Sequence, residues 1–441
     1  MTAERRALIS ILHAALRAVD PYDAVTRYAD EIARTYESGK YRKLYVLSFG
    51  KAAPAMAQAM TDCIGEIVSG GIIITKYGHA KNTAEDLGLR VFQAAHPIPD
   101  EKGFQATREV MKLFEHSDEY VLVVCLISGG GSSLLVAPYP GISLENKQKT
   151  TELLLKGGAD ISEMNAVRKH ISQIKGGRLA AIAYPSGIES LILSDVLGDK
   201  LDVIASGPTV PDETTFADAL GVIEKYQITK DMPANVLDIL RRGVQGLVPE
   251  TPKHDNPVFR TVSNKIIGNN IKAIEAAKEK ARQLGFDAVV VNTGIHGEAS
   301  ETGRRLAHET LAAKRMLAQR VSRCKPLCLI SGGETTVKVK GNGVGGRNME
   351  LALAFAIEVD GENGITFLSA GTDGGDGPTG AAGAIVDGLT ASKGRAAGID
   401  PQKCLQNNDS YNYFKTTDEL LITGPTGTNV MDLQIALLHP L

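Results

Sequence analysis

The 441-residue sequence has no tryptophan, few cysteines and no excess of positive charge. Its 48 lysines and arginines are outnumbered by 51 aspartates and glutamates, which gives a formal net charge of −3. Because a protein that neutralises a phosphate backbone needs surplus cations, we expect no nucleic-acid partner. No apolar run approaches the roughly 20 residues of a membrane-spanning helix, so we expect no membrane partner either.

The five cysteines are scattered along the chain. Only Cys324 and Cys328 stand close together, and no second pair completes a zinc site. An odd number of dispersed thiols is typical of a reducing compartment, which predicts a cytoplasmic protein without a disulfide framework. Small-molecule chemistry is therefore the favoured class of function.

Short apolar runs recur along the chain, with helical patterns between them. Because every residue of these runs is apolar, they predict strands covered on both faces, as in parallel sheets. A helical pattern such as 271–284, stopped by Gly285, completes βαβ units and predicts an α/β fold. The apolar runs are 44–47, 71–74, 121–127, 191–193, 288–291, 327–330 and 365–368.

Length and proline content predict two domains. Residues 1–20 form an amphipathic pattern that ends before Pro21. The segment 229–262 is rich in proline and poor in long apolar runs, which is typical of a domain boundary. We therefore predict domains at 1–250 and 251–441.

Two glycine-containing loops follow predicted strands in the first domain, where ligands bind to parallel sheets. Lys51 stands at the start of a helix, and an ammonium there is unfavourable unless an anion binds; the alternative is a solvated surface lysine. The loop 128–133 has three consecutive glycines and serines that suit an anion cradle, although a plain flexible turn stays open. It matches neither a Walker A loop nor a nucleophile elbow.

The helical pattern around Met164 carries a cationic stripe that includes Asn165, Arg168, Ser172 and Lys175 before it ends at glycine. A solvated helix face and a face lining an anionic pocket both stay open. His96 follows a short predicted strand and is fixed by two prolines. It is either a positioned catalytic or substrate-binding histidine or a turn histidine bonded to its own loop.

The second domain has the richest loops. Glu334 follows a Ser-Gly-Gly turn, Arg347 follows the glycine-rich stretch 341–346, and Asp373 and Asp376 lie in a loop with many glycines. Carboxylates there could hold Mg²⁺ or take a proton from a hydroxyl, and an arginine could clamp a phosphate or carboxylate. The spacing of a calcium loop is absent.

The stretch 341–346 also satisfies G-x-G-x-x-G, which keeps a nicotinamide-dependent dehydrogenase open. The preceding residues 335–340 alternate between polar and apolar, which predicts a half-exposed edge or antiparallel strand. The first strand of a dinucleotide-binding unit is buried on both faces, so this alternative is disfavoured.

Seven motifs follow one another along nearly the whole chain: 48–52, 128–133, 165–170, 194–199, 206–209, 331–336 and 372–377. With these motifs in this order, the sequence resembles the glycerate 2-kinase family, a group also labelled hydroxypyruvate reductase. The resemblance implies an N-terminal Rossmann-like parallel sheet with helices on both faces and a smaller C-terminal α/β domain with a mixed sheet, MOFRL-like over about 322–435. It also implies a site in the cleft between the two domains.

The resemblance implies phosphorylation of D-glycerate at its 2-hydroxyl, with ATP and Mg²⁺, to give 2-phosphoglycerate and ADP. It leaves a homodimer open. It implies catalytic roles for Lys51, Asp195, Arg347 and Asp373. From the loops described above we also predict metal binding by Asp195 and Glu334. We predict substrate binding by Ser128, Gly129, Gly130, Gly131, Ser132, Ser133, Arg168 and His96. We predict nucleotide binding by Gly332, Gly333, Glu334, Asn264, Gly374 and Asp376.

Two other functions stay open at this point. One is an NAD(P)H-dependent hydroxypyruvate reductase, and the other is a non-catalytic protein that binds sugar acids. For the kinase, substitution of Lys51 or Arg347 is expected to remove nearly all turnover while the melting temperature stays roughly unchanged.

Overall fold

The structure is a computed structural model that describes residues 2–80, 88–115, 117–319 and 325–440. It divides into two compact units, each built on one six-stranded sheet. The N-terminal unit is Pro21–Ile267, and the C-terminal unit combines Gly268–Leu441 with Met1–Asp20. No helix in the described ranges is long and apolar enough to cross a membrane. Cys324 lies outside the described residues.

The cut predicted near residue 250, give or take twenty, includes the boundary at Ile267, but residues 1–20 join the C-terminal unit and not the N-terminal one. The proline-rich segment leads into strand Val262–Gly268, which is the sixth strand of the first sheet, and so it lies within the N-terminal unit. The first helix, Ala3–Ala18, buries Leu8, Ile11 and Leu12 in the core of the C-terminal unit. An amphipathic pattern indicates an apolar face, but it does not tell which sheet that face covers.

The N-terminal sheet has the strand order β3-β2-β1-β4-β5-β6, and its pairings from β3 to β5 are parallel. Every residue of its central strand β4 is buried, because helices cover both faces of the sheet. The predicted Rossmann-like α/β class is therefore confirmed. The strands are β1 Lys43–Phe49, β2 Val68–Lys76, β3 Arg90–Ala94, β4 Val121–Ile127, β5 Gly187–Leu193 and β6 Val262–Gly268.

The helices of the N-terminal unit pack on the two faces of this sheet, except for a separate apolar cluster formed by α6, α7, α9 and α10. They are α2 Pro21–Ser38, α3 Ala53–Ile64, α4 Glu101–Phe114, α5 Gly131–Leu134, α6 Leu144–Gly157, α7 Ile161–His170, α8 Arg178–Ala183, α9 Phe216–Lys225 and α10 Ala234–Val244, numbered after α1, Ala3–Ala18.

The C-terminal sheet is mixed, as predicted, with the order β11-β10-β9-β12-β8-β7. Only the pair β7 and β8 is parallel. At this edge the prediction of a strand covered on both faces is wrong, since Val289 and Val291 are exposed. The strands are β7 Asp287–Ile295, β8 Leu327–Gly333, β9 Ile365–Gly371, β10 Gly383–Asp387, β11 Leu420–Leu421 and β12 Asp432–Leu438.

Helices cover both faces of the mixed sheet, with α12 and α13 on one side and α1 and α11 on the other. The predicted strand at 335–340 does not form: Thr336 makes a single bridge to Glu298, and the stretch then runs as a loop. The N–H groups of Lys338 and Lys340 donate to the side chains of Glu298 and Asn408 and not to a neighbouring strand. The helices are α11 Asn270–Gln283, α12 Ala299–Ala318, α13 Arg347–Glu358, α14 Thr390–Ala396, α15 Pro401–Gln406 and α16 Ser410–Thr417.

Candidate active site

Two loops at the carboxyl ends of β1 and β4 are locked together. The N–H of Lys51 donates to the Gly129 carbonyl at 2.9 Å, and the N–H of Ala52 donates to the Ser128 hydroxyl at 3.1 Å. Gly50 has a φ of +124°, and a Cβ there would lie 2.1 Å from the Ser128 Oγ. Ser128 therefore fixes the loop in which Lys51 stands, directly before α3 as predicted.

The side chains of Lys51 and His96 converge on Gly130. This glycine has a φ of +86°, and a Cβ on it would lie 2.9 Å from the His96 Cδ2 and 3.5 Å from the Lys51 Cγ. Gly130 precedes the short helix α5 in a left-handed conformation, which favours glycine. The side chains of Lys51 and His96 also leave no room for a side chain at this position. The structure thus brings together three of the residues predicted to act on the substrate.

The imidazole of His96 is neutral at physiological pH. Burial, and then the charges of Lys51, Lys76 and His79, lower the pKa of His96 from 6.5 to about 4. A neutral imidazole both donates and accepts hydrogen bonds, so His96 suits a hydroxyl better than an anion.

The lowered pKa of His96 predicts a loss of stability in acid. Between pH 6.5 and about 4 the unfolded chain binds a proton at this residue that the folded chain does not, so the free energy of unfolding falls as the pH falls through that window. Thermal melts at several pH values should show a smaller decline for His96→Gln than for the wild type. Equal declines would contradict the burial of a neutral imidazole. His13→Gln, on the exposed face of α1, is the matched control.

Asp195 follows β5 and lies near Lys51. Burial raises the pKa of the Asp195 carboxyl, and the positive charge of Lys51 lowers it again. The two predicted catalytic groups of the N-terminal unit, Lys51 and Asp195, therefore interact electrostatically. A carboxylate with a raised pKa next to a lysine is suited to taking up a proton.

A chain of polar side chains lies beside the glycine-rich loop. The Ser132 and Ser206 hydroxyls are 2.9 Å apart, and Ser206 donates to the Asn165 Oδ1 at 3.1 Å. Ser206 and the preceding Ala205 hold positive φ angles of 62° and 51°, a strained backbone that is concentrated at functional sites. The sequence pointed to Ser206 only through the motif 206–209.

The cationic stripe differs from its prediction in two ways. Helix α7 ends at His170, so Ser172 and Lys175 follow the helix instead of continuing it. The stripe is also buried, with Asn165 and Lys175 at 3% and 1% exposure, so the solvated helix face is wrong. Arg168 is mostly buried as well, and burial lowers the pKa of its guanidinium.

Asn264, predicted to bind nucleotide, lies on β6 of the N-terminal unit. Its Oδ1 accepts from the Thr209 hydroxyl at 2.7 Å, and its Nδ2 donates to the Thr209 carbonyl at 3.2 Å. Both polar atoms of the amide thus bind Thr209, one through its hydroxyl and the other through its backbone carbonyl. A nucleotide contact of this residue stays a prediction.

In the C-terminal unit, Arg347 is the first residue of α13 and the centre of a charged cluster. Its Nε and Nη2 donate to the two carboxylate oxygens of Asp432 at 2.6 and 2.8 Å, and its Nη1 lies 2.8 Å from the Glu334 carboxylate. Burial alone would lower the pKa of Arg347, but the hydrogen bonds and charge of Asp432 raise it. The sequence analysis does not single out Asp432; its signal is a carboxylate at the start of a strand, β12, that is apolar except for Gln434.

The two aspartates of the loop after β9 have different surroundings. The Asp376 carboxylate accepts the N–H of Asn348 at 3.0 Å and of Met349 at 2.8 Å, so it caps α13. Burial raises the pKa of Asp376 to about 7. The Asp373 Oδ1 accepts the Gly375 N–H at 3.0 Å. Burial raises the pKa of Asp432, and the charge of Asp373 adds to that rise. Asp373 therefore lies in the field of the same cluster as Arg347.

The predicted nucleotide-binding glycines lie where the backbone is crowded. Gly332 and Gly333 are the last residues of β8, and Cβ atoms on them would lie 2.1 Å from the Asn270 Oδ1 and from the Ile295 carbonyl oxygen. A Cβ on Gly374 would lie 2.1 Å from the Gly424 carbonyl oxygen. Packing alone accounts for these glycines, and their contact with nucleotide stays a prediction.

The stretch 341–346 is a clamped loop. The N–H groups of Gly341, Asn342 and Val344 donate to the side chains of Asn408, Asn407 and Asp409, respectively. The first N–H groups of α13 are taken by Asp376, as described above. A pyrophosphate bound at this G-x-G-x-x-G would find these donors already used.

The described part of the chain contains no group of three or more histidine, cysteine, aspartate or glutamate residues that could hold a metal ion. Of the two residues predicted as metal ligands, Glu334 is paired with Arg347 and Asp195 lies in the field of Lys51. The structure thus provides single carboxylates and not a closed metal cage.

One α/β unit carries a lysine and an aspartate after its strands, and the other carries an arginine held by carboxylates. Relatives and a solved structure named as glycerate kinases place a chain with these groups among the phosphotransferases. Residues 7–241 match the family model described as "Domain of unknown function (DUF4147)", and residues 327–432 match the MOFRL family. The chain belongs to the glycerate kinase type 2 family.

Similar proteins cover nearly the whole chain. The D-glycerate 2-kinase of Thermotoga maritima is 48% identical over 396 residues, which are 90% of this chain and 91% of that one. The glycerate 2-kinase of Pyrococcus horikoshii is 43% identical over 430 residues, 96% of this chain and 94% of that one. A crystal structure of glycerate kinase from Thermotoga maritima matches with a TM-score of 0.88 at 44% identity, covering 99% of this chain and 100% of that chain.

Proposed function

We propose that this chain is a kinase that transfers the terminal phosphoryl group of ATP to the 2-hydroxyl of D-glycerate, giving 2-phosphoglycerate and ADP. The observation that carries the proposal is the likeness to a D-glycerate 2-kinase at 48% identity over 90% of the chain. The surroundings of the four predicted catalytic residues support it, because each stands at a strand end or a helix start.

In this proposal the N-terminal unit binds the acid. Gly130 and the hydroxyls of the glycine-rich loop form hydrogen bonds with the acid, and neutral His96 forms one with a hydroxyl of the acid. Lys51 neutralises negative charge on the reacting groups. Asp195 takes the proton of the 2-hydroxyl, which suits a carboxyl whose pKa is raised towards the working pH. Phosphoryl transfer requires mainly alignment and charge stabilisation, so no covalent nucleophile is needed.

The C-terminal unit binds the nucleotide. Arg347, preoriented by its bidentate pairing with Asp432, offers charge to the phosphate oxygens. Asp373 lies in the electric field of the same cluster through its effect on Asp432, and its catalytic role stays a prediction. The glycine loops around Glu334 and Gly374 would carry the rest of the nucleotide.

Mg²⁺ is part of the proposal. This ion is usually held by one or two carboxylates together with substrate phosphates, so single carboxylates fit it without a closed cage. Glu334 is an oxygen donor of that kind and would hold the ion in the C-terminal unit. Metal binding by Asp195, which takes the proton in this proposal, stays a prediction. When bound, Mg²⁺ would neutralise charge on the phosphates. A cytoplasmic location and a homodimer stay predictions.

The reductase alternative is disfavoured by the clamped loop 341–346, whose N–H groups already donate to side chains. A protein that only binds sugar acids is separated from a kinase by turnover alone. Both rivals are therefore outcomes of one assay.

The test is ADP release with ATP and Mg²⁺ across D-glycerate, L-glycerate, lactate and hydroxypyruvate. We expect turnover to be fastest with D-glycerate and to stop when EDTA removes the metal. Oxidation of NADH by hydroxypyruvate without ATP would support the reductase instead. Binding of D-glycerate without any ADP over hours would support the binding protein.

A further inference from the structure

Beside the glycine-rich loop lies a group of buried cations without acidic partners. Lys147 on α6 and Lys175 after α7 are 3% and 1% exposed, and Arg168 on α7 is mostly buried. Helices α6 and α7 pack against each other. Throughout the described ranges, none of the three side chains forms an ion pair with a carboxylate.

A buried charge without a partner is costly, and proteins usually pair it. The nearby Lys169 shows the usual solution, because its ammonium lies 3.1 Å from Asp212 and 3.4 Å from Asp202. Among the described residues, Lys147 has no comparable carboxylate contact. A bound anion would give Lys147 the partner that Lys169 finds in Asp212.

The three cations are not equivalent. The Lys175 Nζ donates to the carbonyls of Ser132 at 2.7 Å and of Leu135 at 3.3 Å, so it ties down the end of the glycine-rich loop. Burial and the charges of Lys147 and Arg168 lower the pKa of Lys175 well below its usual value, and a neutral amine makes the same bonds. Lys147, whose pKa burial lowers to about 8, is still mostly charged at neutral pH.

A buried amide group nearby also has no hydrogen-bond partner. The Asn165 Nδ2 is buried without an acceptor, while its Oδ1 accepts from Ser206. Asn165 and Arg168 stand at positions i and i+3 of α7 and so share one face of the helix. Around this face, Gly130, Ser132 and Ser133 are only partly buried, which leaves a route from solvent.

We propose that Lys147, Asn165 and Arg168 form the subsite that binds the carboxylate of the substrate acid, with Lys175 as the positioning residue for the adjoining loop. The proposal rests on the proposed function, since it takes the substrate to be a small hydroxy acid. A carboxylate has one negative charge and two acceptor oxygens. It can therefore pair with the cations Lys147 and Arg168 and accept a hydrogen bond from the Asn165 amide.

The experiment compares Lys147→Met with the wild type. Loss of a charged hydrogen bond should raise the KM for D-glycerate about 10- to 100-fold, while kcat and the KM for ATP change little. The melting temperature of the unliganded variant should rise, because an unpartnered buried charge is replaced by an apolar side chain. Lys149→Met, an exposed lysine on the same helix, is the matched control and should match the wild type in all four quantities.

Three results would overturn the subsite. One is a KM for D-glycerate within about twofold of the wild type, where a lost charged contact predicts tenfold or more. The second is a raised KM for ATP in its place, which would assign Lys147 to a nucleotide phosphate. The third is a lower melting temperature with both KM values unchanged, which would give Lys147 a structural role.

Arg168→Gln is the second variant and carries the same expectation for the KM of D-glycerate if Lys147→Met does not fold. If the wild-type protein releases no ADP with D-glycerate, the proposed kinase activity is contradicted, and the subsite is then tested by binding. Calorimetric titration with D-glycerate does not depend on turnover, and it should still show binding that weakens in Lys147→Met. Equal affinities of the two proteins there would overturn the subsite.

Discussion

Replacing Arg347 by alanine is expected to lower kcat by about 10²- to 10³-fold, the usual loss when a group that stabilises transferring charge is removed. The same change should lower the free energy of unfolding by roughly 3 kcal/mol, because it leaves the buried Asp432 carboxylate without its bidentate partner. This corrects the expectation from the sequence that the melting temperature would stay unchanged. Steady-state kinetics and thermal melts measure the two effects.

A double variant separates the two roles of Arg347. In Arg347→Ala combined with Asp432→Asn, the carboxylate that the single variant leaves without its partner is replaced by a neutral amide, so much of the lost stability should return while the rate stays low. A single Arg347→Ala variant with the wild-type melting temperature would contradict the buried pair. A wild-type rate would remove Arg347 from the mechanism.

Lys51→Met is expected to lower kcat by about 10²- to 10³-fold with little change in melting temperature. The loop around Lys51 is held by its backbone N–H and by Ser128, neither of which depends on the lysine side chain. Because the charge of Lys51 lowers the pKa of Asp195, its removal should raise that pKa and move the acidic limb of the pH–rate profile to higher pH.

The matched control is Lys43→Met, an exposed lysine at the opposite end of the same strand β1. It should keep both the wild-type rate and the wild-type pH profile. If the profile of Lys51→Met does not move, Asp195 is not the group that the acidic limb reports.

Much of the fold could be predicted from apolar runs. Strand β4 is buried at every position, and its uninterrupted apolar sequence is what burial on both faces requires. Edge strands break the rule, because a run such as Ala288 to Val291 looks the same whether one or both faces are covered. The number of neighbouring strands is a tertiary property that a local pattern does not contain.

The end of α7 shows the same limit. Helical spacing continues past His170, but the His170 ring bonds the Ala166 carbonyl and Glu250, and Ser172 forms a bridge with Pro138. These contacts come from segments distant in sequence, and they end the helix earlier than its periodicity predicts. Propensity is a weak guide where tertiary bonds compete with it.

The predicted site residues Lys51, Arg347 and Asp373 stand where glycines and charged residues meet at strand ends. The structure places Lys51 in the field of Asp195, and it places Arg347 and Asp373 near Asp432. Lys147 and Asp432 do not follow it. A lysine among polar helix residues looks solvated, and an aspartate before an apolar strand looks like the end of a loop.

The most direct test of the account is phosphorus NMR of the product formed from D-glycerate, ATP and Mg²⁺. We predict a single new monoester resonance that is coupled to the proton on carbon 2, together with stoichiometric ADP. A resonance coupled to the two protons on carbon 3 would contradict phosphorylation of the 2-hydroxyl, and inorganic phosphate alone would contradict transfer to the acid.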